Sequence, residues 1–160
     1  MTPTEDLSRV VQRSVVDAPI DVVWDRVASM AGINDELMPY MKMVLPRRHR
    51  GKSIADIEVG VPVGKVWLLY GGLLPLDWDD LTIVELTPGV GFRDESSMAT
   101  MKVWRHTRRL TPMSEGATEV SDVLEFAPRL LLRPVTPLLV WFVGHLFRHR
   151  HGRLVGRLTL

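Results

Sequence analysis

His106 and Asp122 are the two side chains of this sequence whose types and spacing most readily suggest chemistry. His106 follows Trp104 and Arg105 and precedes Arg108 by two residues, while Asp122 closes the stretch Thr118, Glu119, Val120, Ser121. The segment 111–117, which carries Pro112 and Gly116, reads as the turn between two strands over 101–110 and 118–126. Pairing Leu110 with Thr118 sets His106 opposite Asp122, Arg108 opposite Val120 and Trp104 opposite Leu124. Period-two alternation then gathers Trp104, His106, Arg108, Asp122 and Leu124 on one face. A slip of one residue would send all of them to the other face.

An imidazole held by a carboxylate has a fixed tautomer and can recognise a polar headgroup. The same pair reads equally as a structural one, in which two polar groups satisfy each other beside an aromatic ring. Catalysis asks for more, because a base must also reach a defined reactive proton. Ser96, Ser97 and Ser121 read as ordinary strand or turn residues, and without cysteine there is no thiol nucleophile. No catalytic residue is assigned.

Metal and nucleotide chemistry find little support. His149 and His151 are two apart and diverge on a helix, and His145 with His149 has no third ligand nearby in the sequence. The glycines at 60, 64, 71 and 72 do not sit between a strand and a helix in a phosphate-binding pattern. The reading therefore names no metal and no cofactor. Aromatic and methionine side chains mostly fill cores, but Trp67, Tyr70, Trp104, Phe126 and Phe142 are candidates to line a cavity, with His106, Arg108 and Asp122 at its polar end.

The elements that would hold these residues begin at the carboxyl end. Residues 137–158 contain no internal proline after Pro137 itself, which follows Thr136 as a cap, and so read as one long helix. Its stripe runs through Leu139 or Val140, Val143, Phe147, Leu154 and Leu158. The first half is apolar on nearly every side, which predicts that it is sandwiched. That half spans Pro137 to Phe147, well short of the roughly 20 residues a bilayer span needs, so it reads as core.

Upstream, residues 10–16 read as a strand, followed by a helix with Pro19 near its start and Ile20, Val23, Trp24 and Val27 on its apolar side. Gly32 and Asn34 interrupt it, giving a short second helix through Leu37. Residues 52–58, 66–74 and 81–86 are strand candidates, the run 66–74 being apolar in both periods and so readable as strand or short helix, with a bend or bulge at Gly71 and Gly72 and an acidic turn over 77–80. The connections at 87–91 and 111–117 specify an antiparallel meander, which Pro128 ends.

The chain has 160 residues, 46% hydrophobic, with no linker and no internal repeat, and reads as a single domain, 1–160. A polar, acidic start with no basic region before an apolar stretch leads to the expectation of a cytoplasmic protein. The net charge of +1 hides an asymmetry: residues 1–40 hold seven acids and three arginines, residues 129–160 six arginines and no acid. The cluster Arg148, His149, Arg150, His151, Arg153 and Arg157 is expected to compensate the helix dipole and aid solubility. Peripheral contact with an anionic membrane, or an acidic partner, is the alternative use of those cations. Nucleic-acid binding is not expected, since no groove-reading or stacking groups accompany them.

The order strand, two short helices, curved antiparallel sheet and long terminal helix resembles the START-like, or helix-grip, superfamily, which includes polyketide cyclases, the birch pollen allergen family and coenzyme Q-binding proteins. The residues carrying the resemblance are 16–24 at the strand–helix junction, Trp104 to His106, Thr118 to Asp122 and 147–151 in the last helix. They look like a bacterial branch of ligand-binding or cyclase-like proteins. The resemblance implies an α+β helix-grip fold in which the sheet wraps around the last helix, leaving a cavity for a lipid, isoprenoid, polyketide or other apolar guest. Reversible binding of such a hydrophobic small molecule is the expected function. A polyketide cyclase or dehydratase using acid–base groups in the same cavity is the alternative.

Overall fold

The computed structural model describes residues 6–159; the polar residues 1–5 and Leu160 lie outside the described residues. The chain opens with β1 (Ser8–Val16) and turns through Asp17 and Ala18 into α1 (Ile20–Ala28) and α2 (Met30–Leu37). Pro19 caps α1, Asp21 lies in its first turn and Val23, Trp24 and Val27 face the core. The break between the helices is made by Ser29, not by Gly32 and Asn34. Ser29 ends α1 in an extended conformation, and its hydroxyl accepts the Gly32 N–H at 3.0 Å to cap α2. Asn34 instead ties α2 to the sheet, bonding both the N–H and the carbonyl of Met43.

The remaining strands are β2 (Met41–Val44), β3 (Gly64–Tyr70), β4 (Leu74–Thr87), β5 (Gly91–Ser96), β6 (Met101–Ser114) and β7 (Ala117–Pro128). They form one antiparallel sheet in the order β1-β7-β6-β5-β4-β3-β2, so the chain's first strand joins its last. Register shifts at Leu68/Leu69, Ile83/Glu85 and Met101/Val103 bend the sheet into a trough.

Several local expectations are corrected. Residues 52–58 are not a strand but hold a single 3-10 turn, Ile54–Asp56, boxed by Ser53 and Asp56. The run 66–74 is split, because Gly71 and Gly72 take positive φ values of 62° and 78° and make the turn from β3 to β4. Residues 77–80 are not a turn. They lie inside β4, where alternation buries Asp77 and Asp79 and exposes Asp80.

The last hairpin is longer than expected. Its strands reach Ser114 and Ala117, so Glu115 and Gly116 alone make the turn, and a shift between Pro112 and Ser114 absorbs the extra residue. Leu110 therefore pairs with Val120, Arg108 with Asp122, His106 with Leu124 and Trp104 with Phe126. The displacement from the expected register is two residues. An even slip preserves the faces, so the expected set still shares one side.

α3 (Thr136–Leu158) lies in the trough, packed against β1 and α2, with Pro137 in its first turn. Val143, Leu146, Phe147 and Leu154 are buried as the stripe requires, but Arg150 and His151 are buried with them. Its first turns are not sandwiched: Leu138 and Trp141 are 61% and 59% exposed. The segment Leu130–Leu158 is long and apolar enough to cross a bilayer by length and composition. Here its buried charges are tied into the sheet and α2, which makes it the gripped helix of the fold. At one end of the trough Val16, Val23, Trp24, Val27, Leu110, Val120 and Leu154 pack together. Toward the other end the apolar side chains surround a hollow.

Candidate functional site: a cavity with one polar end

The hollow is a cavity of about 170 Å³ between the sheet and α3. Ile33 and Leu37 come from α2, Leu68, Ile83, Phe92, Met101 and Trp104 from the sheet, and Phe142, Val143, Leu146 and Phe147 from α3. Its walls are overwhelmingly apolar. The exceptions include Asp77 and Asp79 of β4, Asp94 of β5, His106 of β6 and Arg150 of α3.

Behind this wall sits a fully buried ionic network. Asp122 accepts from His106 Nε2 at 2.8 Å, Arg108 Nε at 2.8 Å, the other arm of Arg108 at 2.7 Å and His151 Nε2 at 2.8 Å. Arg108 turns its remaining face to Glu36 of α2, with contacts of 2.9 and 3.0 Å, and Arg150 donates to Glu36 at 3.1 Å. His151 Nδ1 meets the Ser14 hydroxyl of β1. Sheet and helices are thus joined through groups with almost no contact with water. Removing one partner of such a network leaves an uncompensated charge, at a cost of about 3–5 kcal/mol.

His106 is held from both sides, with Nε2 on Asp122 and Nδ1 3.2 Å from Asp94. Burial works against its charge, but Asp122 and Asp94 outweigh burial and hold the imidazolium above its usual range. Burial likewise opposes ionisation of Asp122, and Arg108 with His106 overrides it, keeping this carboxyl well below the normal range. Neither His106 nitrogen is left as a free base.

Asp79 is the opposite case. It is 4% exposed, and burial together with the neighbouring charge of Asp94 pushes its carboxyl up to about 7. Among the described residues its Oδ1 makes no hydrogen bond of regular geometry; the nearby Ser96 hydroxyl, itself unpaired, only weakly favours the carboxylate. Asp77 is fully occupied, accepting from the N–H groups of Trp78 and Ala99 and from the Thr100 hydroxyl.

The expected site residues divide accordingly. Tyr70, Trp104, His106 and Phe142 line the cavity. Trp67 does not: alternation along β3 turns Val66 and Leu68 inward and leaves Trp67 on the outer face, edge-on to Trp78. Phe126 is buried behind Trp104, ring centroids 5.6 Å apart, and does not reach the hollow. Arg108 and Asp122 stand behind the wall, consumed by each other and by Glu36. The basic cluster is also corrected, since Arg150 and His151 are interior, and Arg153 and Arg157 bind Asp35 of α2 at 2.9 and 3.0 Å. Asp35 and Glu36 of the first 40 residues thus pair with Arg150, Arg153 and Arg157 of the last helix, the Glu36–Arg150 pair in the interior and the Asp35 pairs nearer the surface.

Sequence reasoning missed Asp79, Asp94 and Glu36. Asp77, Asp79, Leu81 and Ile83 do follow period two, a signal hidden by the crowding of three acids that resembles a turn. His145 and His149 both contact the Tyr40 ring, and among the described residues no group of three or more His, Cys, Asp or Glu side chains is placed to hold a metal.

Residues 14–158 match the family described as domain of unknown function DUF8410. The chain belongs to that family. No curated protein matches its sequence. Among solved structures, protein CV1439 from Chromobacterium violaceum is similar at 20% identity and a TM-score of 0.66, covering 94% of this chain and 96% of its own. A START superfamily protein from Mycobacterium smegmatis has 12% identity and a TM-score of 0.67 over the same shares. The Zhui aromatase/cyclase from Streptomyces sp. R1128 has 15% identity and a TM-score of 0.64, covering 94% and 93%. The fold of this DUF8410 member is the START-like helix-grip fold, which accommodates an apolar cavity.

Proposed function

We propose that the protein reversibly binds an apolar small molecule, of lipid, isoprenoid or polyketide type, and belongs to a ligand-binding bacterial branch of its superfamily. The observation supporting this is the hollow itself, lined mostly by apolar side chains with a small set of charged ones that includes Asp79, Asp94 and His106. Its volume is close to that of an engineered apolar cavity of roughly 150 Å³ that takes up benzene. Burial at about 25 cal/mol per Å² supplies affinity without a metal or a covalent bond. Tyr70, Trp104 and Phe142 contact the guest's apolar body. Asp79, Asp94 and His106 meet its polar end, with Arg108 and Asp122 holding His106 in place.

The test is to fill the space. Wild-type protein should bind about one equivalent of the neutral fluorescent probe N-phenyl-1-naphthylamine, and Met101→Trp, with its circular dichroism unchanged, should lose affinity at least tenfold. Equal binding by both proteins would place the probe elsewhere and contradict the proposal.

A second reading is acid–base catalysis of cyclisation or dehydration on a polyketide-like substrate. It draws on the relative described as an aromatase/cyclase and on Asp79, which retains its proton near neutral pH. A protonated carboxyl can give that proton to a carbonyl or departing hydroxyl oxygen. His106 is a poor base here because both its nitrogens face carboxylates. With Asp79 as the protonated acid, Asp77 and Asp94 engaged with their own partners and no free imidazole among the described residues of the wall, binding is the stronger reading. For exchange with a bilayer, Leu130, Leu131, Leu138 and Trp141 offer exposed apolar contact, and Arg148 an exposed cation.

A further inference from the structure

We infer that the guest of this cavity carries a protonated amine at its polar end, with Asp79 as its counter-ion. The inference rests on the apolar-binding reading and names the ligand class that reading leaves open. Three features of the polar end carry it. First, Asp79 lines the cavity, is almost wholly buried, and among the described residues its Oδ1 makes no hydrogen bond of regular geometry. A buried polar atom left unpaired is costly, and a donor arriving with the ligand removes that cost.

Second, the surrounding charges favour a cation. Burial is the main reason Asp79 holds a proton near neutrality, and Asp94 on β5 with Asp77 and Asp80 on the same strand add to it, against the weaker opposing pull of the Ser96 hydroxyl. Third, the nearby cations are already committed. The His106 imidazolium on β6 is held between Asp94 and Asp122, and Arg150 on α3 is bound to Glu36. From β3 Tyr70 is the polar residue that lines the cavity beside Leu68, and Lys52, also in the lining, is exposed. An anionic headgroup would meet these carboxylates with no uncommitted cation deep in the wall among the described residues, whereas an ammonium would replace the proton on Asp79 and pair with the carboxylate it leaves.

The experiment compares 4-phenylbutylamine, 4-phenylbutanol and 4-phenylbutyrate, which share an apolar body and differ in the headgroup, by isothermal titration calorimetry. At pH 8 the amine should bind at least tenfold tighter than the alcohol, and the carboxylate weakest. Between pH 8 and pH 6 the amine's affinity should fall about tenfold as Asp79 takes up its proton, with proton release on binding visible as a dependence on buffer ionisation heat. Asp79→Asn should remove both the amine preference and the pH dependence while still binding the alcohol. An alcohol or carboxylate that binds as tightly as the amine would overturn the inference and leave apolar binding standing. Failure of all three to bind would overturn the apolar-binding reading, and the inference with it.

Discussion

Asp79 and His106 share one wall of the cavity but sit in opposite electrostatic settings. Asp79 is buried among other acids, so its folded-state value of about 7 stands well above the ordinary 3.8. A raised carboxyl stabilises the fold at low pH, where both states are protonated, and this contribution is lost as pH rises toward and through 7. The loss is on the order of 4 kcal/mol, taking about 1.4 kcal/mol per pH unit. His106 is also raised, so its contribution is present below about 6.5 and lost only as pH climbs through its higher folded value. Urea denaturation should therefore show stability falling from pH 5 to pH 8. Asp79→Asn should be the more stable protein at pH 8 and lose that advantage toward pH 4. A variant less stable than wild type at pH 8 would show that the Asp79 carboxylate is satisfied after all.

Between elements, the decisive contacts are short-range and steric or ionic. α1 and α2 meet at Ser29, where Gly32 comes so close to the preceding helix that an added Cβ would lie 1.9 Å from the Arg26 carbonyl oxygen. Backbone cannot yield there without opening the elbow, so Gly32→Ala should destabilise the protein by about 3 kcal/mol or more, in the range of severe overpacking. Chemical denaturation measures it, and a change under 1 kcal/mol would mean that α2 can shift freely. That shift would be costly, because α2 carries both Asp35 and Glu36, the partners of Arg153, Arg157 and Arg150 on α3. Charge asymmetry between the ends of the chain is thus a device for clamping the last helix to the second.

At this scale the sequence was informative wherever periodicity and punctuation agreed. Pro19, Pro128 and Pro137 mark real boundaries, and the meander after 81 reads correctly in order. The failures have specific physical causes. Three acids between Pro75 and Leu81 look like a turn because polar residues rarely occupy the inner face of a strand, and only a cavity gives them a reason to be there. Arg150 and His151 look like helix-end charges because their buried partners, Glu36 and Asp122, are distant in sequence. The hairpin register missed by two residues because Pro112 was counted as turn although it lies in β6.

For the whole molecule, the START-like helix-grip arrangement follows from a sheet bent by register shifts around a helix that must bury both leucines and charges. The charged part of α3 is pinned by ion pairs, while its apolar part, from Phe142 to Phe147, faces the sheet across the cavity. Closing the gap would require the sheet to flatten or α3 to move, and the network from Ser14 through His151, Asp122 and Arg108 to Glu36 opposes both. The hollow is a consequence of that pinning. Which guest fills it was not legible in the sequence, since the residues that define its polar end come from three different strands.

A crystal structure of the protein soaked with 4-phenylbutanol tests the vessel itself most directly. Electron density for the alcohol between Trp104 and Phe142, with its hydroxyl toward Asp79, is the expected result. Those two side chains in van der Waals contact across a filled interior, with no density between them, would contradict it.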